Sequence, residues 1–302
     1  MKKYIIAIAV ILLCFLSLFI LHKKKGQVVV NNDVNIVFTT DNNYKEYLKT
    51  AIYSLIKNKK HDTVYNINIL CVDFEAKDLS IYDKYNSKNV HIKSIPLKLS
   101  DISKVGNYNI DFHVTRADLF KFFMPQIFPQ LDKILYLDVD ILVLGDLSDL
   151  YNTDLKNKYI GAVHNNNSRE SYNCGVILYN LKEWRKHNLT NKLIKSKNKD
   201  ELRTLMTQNT FNDVIKPNKV YYLSYVYNVL AYAEESAFEY LIKESFDLKN
   251  TEIKTVEDYL ESAVILHYYV NNKPWSEFAN PNHKYVNLWR KYNKERIKYE
   301  NK

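Results

Sequence analysis

"VNIVFTTDNNYKEYLKTAIYSLIKNKKHDTVYNINILCVDF", residues Val34 to Phe74, places two apolar runs on either side of a segment with a different period. Val34 to Thr40 reads as a buried strand, and Tyr65 to Phe74 reads as a second. Between them Tyr44, Tyr47, Leu48, Ala51, Ile52, Leu55 and Ile56 recur at helical spacing. Strand, helix and strand within about forty residues form a βαβ unit, which requires a parallel pair and places ligands at the carboxyl ends of the strands.

Working outward, "KILYLDVDILVLGDL", Lys133 to Leu147, is an apolar run interrupted by two aspartates. A buried unpaired carboxylate costs several kcal/mol, so Asp138 and Asp140 must be neutralised or must emerge at the strand's end. Alternate residues of a strand face one side, so both carboxylates can serve one hard divalent cation; a strand-end turn bonded to backbone amides is the simpler alternative. "VTRADLFKFFMPQIF", from Val114, predicts a helix capped by Thr115 and ended or kinked at Pro125. "YIGAV" and "CGVILYNL" predict strands, "LKEWRKHNLTNKLIK" one helix, and "AVILHYYV", Ala263 to Val270, a further strand. The basic tail from His283 carries Tyr285, Trp289, Tyr292 and Tyr299 on a helical stripe.

The 302-residue chain is long enough for one large domain or two small ones. Its five glycines form neither "GxGxxG" nor "GxxxxGK[ST]", which excludes the usual glycine-rich phosphate cradles. The net charge of +9 comes from scattered lysines, a solvated face rather than a nucleic-acid tract, so no nucleic-acid partner is expected. Three cysteines and eight histidines show no disulfide or zinc spacing. Tyr4 to Leu21 are eighteen nearly uncharged residues between lysines, with no small-residue cleavage site after them. They predict an uncleaved single-pass membrane anchor whose orientation the balanced flanks leave open. The expected layout is an anchor at 4–21, a connector at 22–32, an α/β catalytic domain at 33–275 and a tail at 276–302 that could touch lipid.

Taken together, "IVFTTDNNYKEYL", "DKILYLDVDILVLGDLSDLYNTDL", "YNCGVILYNLKEWRKH" and "LHYYVNNKPW" closely resemble glycosyltransferase family 8, from about Val34 to Trp275. That family includes bacterial lipooligosaccharide galactosyl- and glucosyltransferases and glycogenin. The resemblance implies a Rossmann-like mixed sheet of the GT-A type with flanking helices. It also implies a retaining transfer of a hexose from a UDP-sugar, with UDP-glucose and UDP-galactose leading, to a saccharide or glycolipid, dependent on Mn²⁺ or Mg²⁺. By the same resemblance Asp138, Asp140 and His267 would hold the metal, and Thr40, Asp41, Asn43, Arg116, Asp138, Val139, Asn173, Cys174 and Lys273 the donor. Gln208 would lie beside the anomeric carbon, and Gly175 would belong to the turn lining the sugar pocket. Read without the family, Asp41 and Asn43 suit helix capping, and His267 a satisfied core residue.

The chain departs from the family pattern where Thr207 replaces the acid before the glutamine, where Asn209 replaces a frequent acid, and where Val270 replaces a glycine. Thr207 is compatible with a sugar lacking the usual hydroxyls, or with a nearby acid that substitutes. The departures admit a UDP-sugar-binding protein with little or no turnover. A phosphatase of the haloacid-dehalogenase type also begins on a strand ending in "DxD", but Leu142 stands where that motif has Thr or Val.

Overall fold

The computed structural model of the protein describes residues 33–72, 80–105, 116–165, 170–199, 206–231, 248, 251–268, 273–277 and 279–302. The first strand, β1 (Asp33–Thr40), is buried on both faces over most of its length. The helix Lys45–Lys57 carries the chain from β1 to β2 (Val64–Val72), which lies parallel to it in the register Val37↔Asn68. The βαβ unit is therefore present, with strand ends within two residues of those expected. β3 (Val90–Leu97) adds a third parallel strand, and β4 (Lys133–Leu137) pairs parallel to the other edge of β1.

The chain then leaves this sheet through Asp138–Val139–Asp140 and starts β5 (Ile141–Val143) in a second one. β6 (Ile160–His164), β7 (Tyr172–Asn180) and β8 (Val220–Tyr222) complete the first sheet, of seven strands in the order β3-β2-β1-β4-β7-β6-β8, with β7 antiparallel to both β4 and β6. β9 (Val229–Leu230) and β10 (Ile265–His267) join β5 in a three-stranded sheet ordered β5-β10-β9. Alternating residues divide the core between the faces of the large sheet. Ile36 and Phe38 pack with Leu48 and Ile52 of the first helix, and Val37 packs with Phe120, Phe122 and Phe211 opposite. The first helix also satisfies the backbone of β5: Val143 N donates to Ser54 Oγ at 2.9 Å, and Asn58 Nδ2 donates to Val143 O at 2.8 Å.

Several expected elements differ in detail. The helix expected from Val114 is a 3-10 segment, Arg116–Phe123, followed by one α turn, Met124–Ile127. Pro125 stands at the start of that turn, where its missing N–H costs nothing, rather than at an end. The helix expected over 181–195 is two, Leu181–Lys186 and Leu189–Asn198, broken at Asn188 in a left-handed conformation with φ of 52°. Across that break Trp184 Nε1 donates to Thr190 Oγ1 at 3.1 Å, and Thr190 donates to Phe122 O at 2.7 Å, so buried hydrogen bonds favour the bend.

The tail forms the helix Lys284–Glu300 within the same compact unit, Asp33–Lys302. Tyr285, Trp289 and Tyr292 are buried in a cluster with Leu142, Leu266 and Tyr268. Tyr292 also accepts from Asn58 Nδ2 at 2.9 Å. Contact of the tail's aromatic stripe with lipid is thereby corrected, because most of that stripe is occupied by protein. The single-pass anchor and the membrane localisation built on it are corrected as well. No helix among the described residues is long and apolar enough to cross a membrane, and the expected segment at Tyr4–Leu21 lies outside the described residues. The longest described helix, Lys284–Glu300, has 17 residues and charges on every turn, whereas a span needs about 20 mostly apolar residues.

Candidate active site

From β1 the sheet continues to β2 on one side and to β4 on the other, so a crevice opens between the carboxyl ends of β1 and β4. A cavity of about 240 Å³ occupies this place. Thr40 and Asp41 from the end of β1 line it, and so do Asp138, Val139 and Asp140 from the end of β4. The two aspartates thus do emerge where their strand ends. Asp138 N donates to Gly175 O of β7 at 2.8 Å, and Asp140 O accepts from Tyr268 N at 2.9 Å, so each aspartate is tied to a different sheet.

Their side chains converge on His267. Its Nε2 is 3.3 Å from Asp140 Oδ1 and 3.9 Å from Asp138 Oδ2, and one ligand atom from each of the three residues falls within a 4.8 Å cluster that could hold a metal ion. The buried ring is fixed from behind. Its Nδ1 lies 2.9 Å from Asn228 Oδ1, which can only accept, so Nδ1 donates to Asn228 and Nε2 is turned toward the aspartates. Asn228 Nδ2 donates to Asn173 Oδ1 at 2.8 Å, and Asn173 Oδ1 also accepts Gly175 N at 2.8 Å. Gly175 lies under the ring: a Cβ there would come within 2.3 Å of His267 Cε1.

Two lysines neutralise the aspartates from opposite sides. Lys273 contacts Asp140 Oδ2 and donates to Tyr268 O at 2.6 Å. Burial works to raise the Asp140 carboxyl, but Lys273 and then His267 overcome it and hold it well below the usual carboxylate range. Lys121, almost fully buried in the 3-10 segment, sits 3.0 Å from Asp138 Oδ1 and 2.6 Å from Asp118 Oδ1, and 4.7 Å from the centre of the Tyr136 ring. Burial pulls its ammonium down, yet Asp118 and Asp138 push it well above the ordinary lysine value. Tyr136 also donates to Asp138 Oδ1 at 2.7 Å, which leaves Oδ2 facing His267. Four carboxylates and two ammonium groups line the cavity, an excess of negative charge suited to a divalent cation.

The helix Thr207–Val214 forms the remaining wall. Gln208 Oε1 accepts Cys174 N at 3.2 Å, and Asn212 pins the helix to β7 by exchanging hydrogen bonds with the backbone of Tyr172. Asn173, Cys174, Gln208 and Lys273 all line the cavity. Asn43 does not: its backbone N donates to Asp41 Oδ1 at 2.9 Å, so Asp41 both shapes the entry to the first helix and faces the cavity. The side chain of Arg116 and the whole of Val270 lie outside the described residues, and Asn209 is exposed. Sequence reading missed Tyr44, Asp118, Lys121 and Asn228. Lys121 carried a signal of the same kind as the two aspartates, a charge set in the apolar run "LFKFF".

A mixed α/β sheet with a candidate metal centre at its switch point defines a class of ligand-binding enzyme fold, and comparison with known proteins gives the family. Residues 35–279 match the model of glycosyl transferase family 8, and the chain belongs to that family. The lipopolysaccharide 1,2-glucosyltransferase of Escherichia coli is 25% identical over 287 residues, covering 88% of this chain and 80% of that protein. Glycosyltransferase GlyF of Streptococcus pneumoniae is 25% identical over 250 residues, covering 81% of this chain but 58% of its own length. The chain thus spans little more than half of GlyF. Among solved structures, the galactosyltransferase LgtC in complex with donor and acceptor sugar analogs superimposes with a TM-score of 0.69 at 22% identity, over 87% of this chain and 96% of that one. That likeness is one of fold. Family membership removes the phosphatase reading.

Proposed function

We propose that the protein is a retaining hexosyltransferase that moves a hexose from a UDP-sugar, with UDP-glucose or UDP-galactose favoured, to a saccharide or glycolipid acceptor. The observation that carries this reading is the meeting of Asp138, Asp140 and His267 with Lys273 and Gln208 in one cavity at the switch point. Asp138, Asp140 and His267 would hold the metal. Two carboxylates and an imidazole suit Mn²⁺ better than Mg²⁺, which prefers oxygen ligands alone. When bound, such an ion supplies a Lewis acid for the negative charge that grows on a departing diphosphate.

The chain's own residues account for the remaining steps. Asp41 and Tyr44 bound the cavity at the end of β1 and take the nucleoside. The Tyr44 phenol is pushed up to about 12 by burial and then by Asp140 and Asp41, so it remains a hydrogen-bond donor at neutral pH. Lys273, already beside Asp140, presents its ammonium to the diphosphate as charge develops. Gln208 is held by the Cys174 amide with its carbonyl oxygen fixed, beside the reacting carbon. The bond from the anomeric carbon to the β-phosphate oxygen breaks, the acceptor oxygen bonds to that carbon on the same face, and the hydroxyl proton passes to the leaving phosphate. Configuration is retained.

The test is UDP release from UDP-glucose and UDP-galactose by the full chain, with Mn²⁺ and with excess chelator. Metal-dependent release that Asp140→Asn abolishes supports the reading. Absence of release, together with UDP-sugar binding, would leave a binding protein instead.

A further inference from the structure

Thr207 is buried at the start of the helix Thr207–Val214, and its hydroxyl donates to Oδ2 of Asp118 in the 3-10 segment. The other carboxylate oxygen, Oδ1, receives the Lys121 ammonium at 2.6 Å. All three side chains line the cavity together with Gln208. An ionised carboxylate has about four acceptor sites, and one hydroxyl with one ammonium leaves the rest open. The Asp118 side chain is 18% exposed, whereas Lys121 is 4% exposed and divides its charge between Asp118 and Asp138. Asp118 is therefore an aimed acceptor whose charge is only partly cancelled. It would accept from neutral hydroxyls and repel an anionic group.

We infer that Asp118 is a specificity-determining residue for the donor sugar. It accepts hydrogen bonds from adjacent hydroxyls of an uncharged hexose, Thr207 aims the carboxylate, and donors carrying a uronic acid are rejected. The inference rests on the transferase reading and deepens it. Thr207 then marks no loss of the acidic grip: the acid stands on the 3-10 segment, across the cavity wall from the helix that carries Gln208.

The experiment measures UDP release by the full chain from UDP-glucose, UDP-galactose, their deoxy-sugar analogues and a UDP-uronate. The proteins are wild type, Asp118→Asn, Thr207→Val and the transposed double variant Asp118→Thr with Thr207→Asp. Asp118→Asn is expected to raise KM for the preferred hexose donor about tenfold, the difference between a charged and a neutral acceptor, and to shrink its advantage over the deoxy analogue by a similar factor. Thr207→Val, which keeps the carboxylate, should act in the same direction by a few-fold, and the transposed variant should regain the hexose preference. Turnover by wild type with KM and donor ratios unchanged in both single variants would overturn the inference and leave the transferase reading intact. No binding or turnover of any UDP-sugar by wild type would overturn both.

Discussion

Replacing Gly175 by alanine tests the metal centre without removing any ligand. The added Cβ would stand 2.3 Å from His267 Cε1, 2.8 Å from its Nδ1 and 3.0 Å from Asn173 Oδ1. Ordinary carbon contacts are about 3.5–4.0 Å, so the ring must withdraw by more than about 1 Å. It has little room, because the His267 carbonyl accepts Ala231 N at 2.8 Å, its residue pairs with Ile141 and Leu230 in the small sheet, and Nδ1 is held by Asn228. Metal–ligand distances tolerate about 0.2 Å, so the imidazole leaves coordination range. Gly175→Ala should weaken Mn²⁺ binding by about 100-fold, the upper end for disturbing the groups that orient a ligand, and cost about 1–3 kcal/mol of stability through overpacking. Paramagnetic titration with Mn²⁺ in the presence of UDP reads the first effect, and urea unfolding reads the second. Wild-type affinity together with wild-type stability would show that the ring does not lie against Gly175 and would refute the reasoning.

Asp140→Asn should retain the fold and lower turnover by several powers of ten; full activity in this variant or in excess chelator would remove the metal from the mechanism. Asn228→Leu leaves Nδ1 of His267 without an acceptor and should weaken Mn²⁺ binding by about 10–100-fold, while Asn228→Asp, which still accepts, should be milder; equal affinities would show that Asn228 does not orient the ring. Burial alone would raise the Asp146 carboxyl, but the Ser148 hydroxyl and the amides of Lys60 and Ser148 hold it below the ordinary value. Its folded value is therefore below its unfolded value near 3.9, so its stabilisation is complete above that pH and is lost as the pH falls through the folded value. Urea midpoints of wild type and Asp146→Asn should accordingly differ at pH 7 and converge below about pH 4; a gap that persists at low pH contradicts this. Trp289 is buried in the cluster that holds the tail helix and its Nε1 has no hydrogen-bond partner among the described residues, so Trp289→Ala should cost about 3–5 kcal/mol of packing; a loss under about 1 kcal/mol would mean the helix adds little to the core.

What the amino-acid sequence determined by itself was local and periodic. The alternation and helical spacing from Val34 to Val72 define β1, the first helix and β2, and the run ending at Leu137 defines a strand from which Asp138 and Asp140 must emerge. These are legible because burial imposes a period of two on strands and about 3.6 on helices, whatever the rest of the chain does. A change at Pro125 was legible from the proline, but the break at Asn188 was not, since the hydrogen bond from Thr190 to the distant Phe122 carbonyl outweighs local propensity. Nor does an apolar run such as Tyr4 to Leu21 reveal its own environment. The site was assembled by tertiary structure: Lys273 meets Asp140 across 133 residues, Thr207 meets Asp118 across 89, and Asn228 meets His267 across 39. No local pattern encodes such pairs. They exist because the large sheet sets β1, β4 and β7 side by side and the small sheet, entered through β5, brings β10 to the end of β4, where charges buried together must find partners of opposite sign or complementary hydrogen bonds.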